Sequence, residues 1–242
     1  MPSFYCSELT GDSKQIVIAN EEFHHLAHVL RHKEGDEVNL NSGKGWLGKG
    51  VICSISKTQA VIEINEVDFH KQSFPYAIAF SLLRNKNDEW LVEKVTESGV
   101  KDLFPMQTQY SVRNPSHNTL TKFNQTALNA IKQCNNPWFP LINPISSIDQ
   151  AIKAIIQKGY IPIIASENRP DSWVDSLEQD KLYCFIIGPE GGFSPSEFVL
   201  FKENEIREIC ISEHVLRAET AAISIAAQYT CYHRKNKFLA NV

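Results

Sequence analysis

The chain has no surplus of positive charge: 24 Lys and Arg stand against 28 Asp and Glu in 242 residues, a formal net charge of −4. That balance excludes a generic nucleic-acid coat, which needs cationic density to displace counterions along its surface. It leaves room for a narrow RNA footprint, because the placement of charge matters more than its sum. No apolar run approaches the roughly 20 residues that span a bilayer. The opening Met-Pro-Ser-Phe-Tyr-Cys-Ser-Glu also lacks the basic-then-apolar layout of a secretion signal. A cytoplasmic protein without a membrane partner is therefore expected. No two of the six cysteines form a CxxC pair, and Cys184 and Cys210 lie inside apolar runs. Buried thiols are expected rather than disulfides or zinc ligands. GxxxxGK[ST] is absent, and no GxGxxG follows the first strand of the second half of the chain. An NTPase and a dinucleotide site are disfavoured accordingly.

What is present concentrates late in the chain. Leu182 to Ile187 is an apolar strand that breaks at Gly188-Pro189 and runs through Glu190-Gly191-Gly192-Phe193 to Ser194. Ser194 is placed as a helix N-cap, Pro195 at the first helical position, and Glu197 closes a capping box; Phe193 and Phe198 form a hydrophobic staple. The glycines allow backbone amides to approach a ligand. The plan repeats downstream: a strand over Ile206–Ile211, a loop over 212–218 containing Val215-Leu216-Arg217-Ala218, and a small-residue helix from about Glu219. Neighbouring loops at the carboxyl ends of strands are where open α/β sheets bind ligands.

The two segments, Ile-Gly-Pro-Glu-Gly-Gly-Phe-Ser and Val-Leu-Arg-Ala-Glu-Thr-Ala, resemble the signature of the RsmE family. Met-Pro-Ser-Phe-Tyr at the start, His-Val-Leu-Arg at 28–31, Gly-Asp-Glu-Val at 35–38 and Glu-Lys-Val-Thr-Glu-Ser-Gly-Val at 93–100 follow that family's order. The resemblance implies a small N-terminal PUA-like β-barrel domain that binds RNA and a C-terminal α/β trefoil-knot domain of the SPOUT superfamily. It implies S-adenosylmethionine-dependent methylation of uridine N3 in 16S rRNA, a homodimer, and the rRNA or the assembled small subunit as partner. Other readings are a knotted methyltransferase with another target, such as a tRNA ribose 2′-hydroxyl, and a non-catalytic assembly factor.

The pattern along the chain agrees with two domains, 1–72 and 73–242. In the first, Asn20 is placed to cap a short helix with Phe23, Leu26, Ala27 and Leu30 on its apolar side. Alternating segments at 37–40, 50–55 and 60–67 read as short strands of a compact barrel. His24, His28 and His32 are four apart on one helix edge, but no converging acid completes a metal site, and none is expected. From residue 76 onward, strands alternate with helices as in a parallel sheet covered on both faces. Helices are expected from Asp88, as N-cap, to about Ser98, at 119–133, at 148–158 and, briefly, at 171–177, with strands at 76–83, 103–106 and 160–165.

From the resemblance, the cofactor slot is formed by Ala165, Ser166 and Glu167 after one strand, by Ile187, Gly188, Pro189, Glu190, Gly191 and Gly192 after the next, and by Val215, Leu216 and Ala218 after the last. The middle and last loops thread through each other in the family. Glu190 would repel a phosphate but tolerates a sulfonium, which suits S-adenosylmethionine. Arg217 is the candidate catalytic residue, since a guanidinium beside O2 or O4 of uracil stabilises the anion left when N3 loses its proton. Glu219 is the second candidate, orienting Arg217 or accepting that proton. The same Arg-Ala-Glu-Thr also reads as a plain helix cap with a surface ion pair. Candidate RNA contacts are His28, Arg31, Arg84, Lys86 and Arg113. Where the family has an arginine before Ser-Val, this chain has Tyr110.

Overall fold

The computed structural model describes residues 3–166 and 172–239, with residues 235–239 described by their backbone. It divides into two compact units, 1–73 with 128–139 and 74–127 with 140–242.

The first unit contains β1 (Ser3–Tyr5), β2 (Gln15–Ala19), α1 (Asn20–His24), β3 (Glu37–Asn41), β4 (Trp46–Ile55) and β5 (Gln59–Phe69). They form one sheet in the order β1-β3-β4-β5-β2, antiparallel except where β1 lies beside β3. Period-two alternation turns Val38, Leu40, Ile52, Ala60 and Ile62 into the core with Phe4, Ile16 and Ile18. The pairing of β4 with β5 shifts register between Lys49 and Gly50 and between Ile52 and Ser54, and such bulges bend long strands. The expected cap is not made: α1 starts from Ala19 without a side-chain cap, and Asn20 itself is left-handed, with φ of 56°. Residues 25–29 continue as a wider π-type turn. That extra residue per turn swings Leu30 out of the apolar stripe, so Phe23 and Leu26 are buried while Leu30 is exposed.

Residues 128–139 join this unit through side-chain and backbone hydrogen bonds around the β3–β4 turn. Asn41 Nδ2 donates to Asn136 O at 2.8 Å and to Ile131 O at 3.3 Å. Gly45 N–H donates to Pro137 O, and Phe139 N–H to Gly43 O. The division at 72/73 expected from local pattern does not register this segment, because every one of these bonds is long-range.

The second unit contains β6 (Ala77–Ser81), α2 (Asn87–Glu97), β7 (Asp102–Gln107), the start of α3 (Thr119–Cys134), β8 (Leu141–Ile142), β9 (Ser146–Ser147), α4 (Ile148–Gln157), β10 (Ile161–Ser166), β11 (Tyr183–Ile187), α5 (Pro195–Glu203), β12 (Arg207–Cys210) and α6 (Ala218–Leu239). The sheet runs β12-β10-β11-β6-β7-β8, with β9 also on β7, and every pairing is parallel. Alternation along β11 sends Cys184 and Ile186 into a core with Ala151, Ile152 and Ile155 of α4 and Phe201 of α5. Phe185 turns the other way, against Tyr229 of α6, with ring centroids 5.3 Å apart. Helices thus cover both faces, which is why the central strands β6 and β11 are buried at every position.

Caps set the helix starts that frame the site. The Ser194/Glu197 box forms, with Glu197 Oε2 accepting Ser194 N–H at 2.7 Å. Phe193 packs on Phe198 as the staple requires, at 6.2 Å between centroids. Asp88 does not cap α2. The helix starts from Lys86, and Asp88 is fully buried and paired with Arg113. Of the helix expected over 171–177, a single 3₁₀ turn at Val174–Ser176 is formed; residue 171 lies outside the described residues.

Candidate active site

The carboxyl ends of β10, β11 and β12 open onto one cavity of about 290 Å³. Ala165 and Ser166 reach it from β10, Ile187 to Glu190 and Gly192 from β11, and Ser212 and His214 to Ala218 from β12 and the start of α6. Loops separated by tens of residues meet there because β10 lies between β11 and β12. Ser166 Oγ donates to Glu208 of β12, and Gln228 Nε2 of α6 donates to Ile211 O at 2.8 Å. The first bond ties the ends of β10 and β12 together, and the second ties the end of β12 to α6.

Ten of the twelve residues expected to hold a cofactor line this cavity. Gly191 does not: it borders a neighbouring cleft and lies against Tyr110. Glu167 lies outside the described residues. Ile164, Phe193, Phe198, Ile211 and Ala221 also line the cavity; in sequence they carry only the signals of core, staple or close-packed helix positions. Gly192 has φ of +70°, a conformation that glycine adopts without strain and that turns the chain toward Ser194.

The walls suit an adenosine carrying a sulfonium. Ile164, Ile187, Leu216 and Ile211 offer apolar faces to a purine, and loop backbone offers donors and acceptors to its edge. The volume is at the lower end of the roughly 300–1,000 Å³ typical of small-molecule sites. Among the described residues, Glu190 is the one carboxylate on the wall and Arg217 the one Lys or Arg side chain, an arrangement unfavourable to a nucleotide polyphosphate.

Arg217 is exposed at the rim, and its carbonyl accepts Ala221 N–H in the first turn of α6. Glu219, two residues on, is 7% exposed. Its Oε1 accepts Asn87 Nδ2 at 3.1 Å, while its Oε2 has no partner among the described residues. Its place in the first turn of α6 favours its negative charge through the helix dipole. Arg84 and Lys86 are exposed, on a turn where Asn85 and Lys86 are both left-handed, with φ of 53° and 63°. Two consecutive non-glycine residues in that region store backbone strain of the kind found at functional sites.

Arg113 differs from its reading as an RNA contact, because its guanidinium is committed to Asp88. Burial pushes the Asp88 carboxyl up, and the guanidinium pulls against it. Removing one partner of such a buried pair strands the other charge, so Arg113 serves the fold of this unit. His28 and Arg31 are exposed in the first unit. The rings of His24 and His28 are 5.2 Å apart, and His32 Nδ1 lies 3.2 Å from Asp36 Oδ2. Among the described residues, no group of three or more His, Cys, Asp or Glu is arranged to hold a metal.

The RNA methyltransferase domain family matches residues 70–230, and an RNA methyltransferase PUA domain matches residues 18–65. The chain belongs to the RNA methyltransferase domain family. Among curated relatives of this methyltransferase, ribosomal RNA small subunit methyltransferase E 2 of Borreliella burgdorferi is 28% identical over 217 residues, 86% of this chain and 87% of that protein. A ribosomal RNA small subunit methyltransferase E from Neisseria gonorrhoeae, solved bound to S-adenosyl methionine, matches with a TM-score of 0.87 at 22% identity, over 96% of this chain and 97% of that one. A Legionella pneumophila methyltransferase solved with bound SAM has a TM-score of 0.83 at 22% identity, over 95% and 96%. The enzyme's PUA-like unit and its α/β unit therefore share their fold with those proteins over nearly their whole length.

Proposed function

We propose that this methyltransferase uses S-adenosylmethionine to methylate N3 of a uridine in the 16S rRNA of the small ribosomal subunit. The observation that carries this reading is the meeting of residues 187–190 and 192 with residues 212 and 214–218 around one largely apolar cavity with Arg217 at its mouth. Support comes from relatives named as small-subunit rRNA methyltransferases and from similar structures solved with the cofactor.

In this reading Ile187, Leu216 and the loop backbones hold the adenosine, and Glu190 faces the cationic end. Bound S-adenosylmethionine supplies an electrophilic methyl group. Uridine N3 carries a proton at neutral pH and is a poor nucleophile until that proton leaves. Arg217 donates to O2 or O4 of the uracil and stabilises the anion, each unit of lowered nucleobase pKa being about 1.4 kcal/mol. Glu219 accepts the N3 proton at its unpartnered oxygen, with Asn87 holding the other. Residues 1–72 form the PUA-like RNA-binding domain, with His28 and Arg31 as contacts, and Arg84 and Lys86 add cations beside the catalytic cavity. The threading of loops 188–192 and 212–218, a homodimer and a cytoplasmic location belong to the same reading. No helix among the described residues is long and apolar enough to cross a membrane.

Mass analysis of rRNA nucleosides from a deletion strain tests the assignment. Loss of 3-methyluridine from 16S rRNA is expected. Loss of a ribose methylation instead would move the target, and an unchanged profile would leave an assembly factor.

A further inference from the structure

A second cleft in the same unit, of about 610 Å³, is left unused by this chemistry. Arg84 enters it from β6, Gln109, Tyr110 and Val112 from β7, and Glu190 and Gly191 from β11. The sheet changes direction here: β7 and β8 lie to one side of β6, while β11, β10 and β12 lie to the other. Ligands of parallel α/β sheets bind at the strand ends of such a switch point. Glu190 borders both this cleft and the cofactor cavity, so the two are neighbours.

Tyr110 determines what the cleft prefers. It is 43% exposed although the chain on either side is pinned. Gln109 N–H donates to the buried Glu197 Oε1 at 2.8 Å, and Ser196 Oγ donates to the Gln109 side-chain oxygen at 3.2 Å. Ser111 Oγ accepts Thr108 N–H at 2.9 Å and lies 2.6 Å from Ser81 Oγ. A Cβ on Gly191 would come within 3.3 Å of Tyr110 Cβ, so the glycine leaves the tyrosine its seat. An exposed ring on a fixed backbone loses little freedom when something stacks on it. Arg84 brings a cation to the cleft, and its backbone N–H donates to Glu190 Oε1 at 3.2 Å, which places a carboxylate there as well. That carboxylate disfavours a phosphate on the floor. A flat neutral ring with polar edges fits best, and an unpaired nucleobase has that form.

We propose that this cleft seats an unpaired nucleobase of the RNA, flanking the methylated nucleotide and stacked on Tyr110. The inference rests on the RNA methyltransferase reading above and adds a substrate subsite to it. The test uses the full-length protein with small ribosomal subunits from the deletion strain. Tyr110→Ala keeps the Cβ that rests on Gly191 and removes the ring. Its KM for subunits rises about tenfold, the usual effect of losing one base–aromatic stack. Its kcat at saturating subunits and its calorimetric affinity for S-adenosylmethionine stay at wild-type values, and Tyr110→Trp recovers the wild-type KM. An unchanged KM in Tyr110→Ala, with wild type still methylating, overturns the subsite alone. Loss of cofactor affinity in the same variant makes Tyr110 a support of the fold and also overturns it. A wild-type protein that neither binds nor methylates subunits overturns both readings.

Discussion

Asn87 Nδ2 donates to Glu219 Oε1 at 3.1 Å, joining the first residue of α2 to the first turn of α6 across 132 positions of sequence. Glu219 is buried and its other oxygen has no partner among the described residues, so this bond sets which oxygen remains available. Asn87→Ala removes the donor and leaves a desolvated carboxylate. The expected cost is about 1–3 kcal/mol of unfolding free energy, read from urea denaturation, together with a lower kcat. Asn87→Asp places a second carboxylate there and costs more. Wild-type stability in both variants would show that Glu219 is solvated in solution.

Arg217 is exposed, and the hydrogen bond it makes to Ala221 N–H uses its backbone carbonyl. Arg217→Ala should therefore leave the melting temperature and the calorimetric affinity for S-adenosylmethionine close to wild type. Turnover should fall about 10²–10³-fold, the loss seen when one donor to a developing anion is removed. A parallel loss of cofactor affinity would instead make Arg217 a residue that holds the cofactor.

Gly191 and Gly192 are adjacent but face different cavities. Gly192 lines the cofactor cavity and holds φ of +70°. Gly192→Val strains the backbone by about 1–3 kcal/mol and should weaken cofactor binding. A side chain on Gly191 meets Tyr110, so Gly191→Val should spare cofactor affinity and raise the KM for RNA. Isothermal titration of both variants separates the two; equal loss of cofactor affinity would return Gly191 to the cofactor cavity.

His233 is 2% exposed, with its ring 4.3 Å from that of Tyr229 and 5.3 Å from that of Phe74, and its Nε2 has no partner among the described residues. Burial lowers its pKa from the ordinary 6.5. Below about pH 6.5 the unfolded chain takes up a proton that the folded chain refuses. This group's share of stability is therefore complete above that pH and is lost as pH falls. His233→Phe should flatten the acid side of the stability profile, measured by melting temperature from pH 8 to 5. An unchanged slope would mean that His233 protonates in place.

The capping box and staple around α5 follow from near neighbours alone, whereas Asp88 and Leu30 depart from their local pattern for two different reasons. The Ser194/Glu197 box and the Phe193/Phe198 staple are interactions between near neighbours, so residue type and spacing suffice to place them. Asp88 had the same credentials as a cap. It was diverted because Arg113, far along the chain, folds back to pair with it. Leu30 had the correct spacing for a buried face, and a π-type turn rotated it outward.

Order along the chain, by itself, established two apolar strands ending in glycine-rich or small-residue loops, a parallel α/β second half and a β-rich first half. Each is a matter of period and turn chemistry within a short window. Only the tertiary structure decided that β10 lies between β11 and β12, the strand order by which residues 165, 187 and 217, grouped beforehand by resemblance and not by local pattern, share one cavity. It alone assigned residues 128–139 to the first unit, Gly191 to the side of Tyr110 and Asn87 to Glu219. Strand order and long-range pairing are set by the burial of whole faces against each other. No window of a dozen residues contains that information.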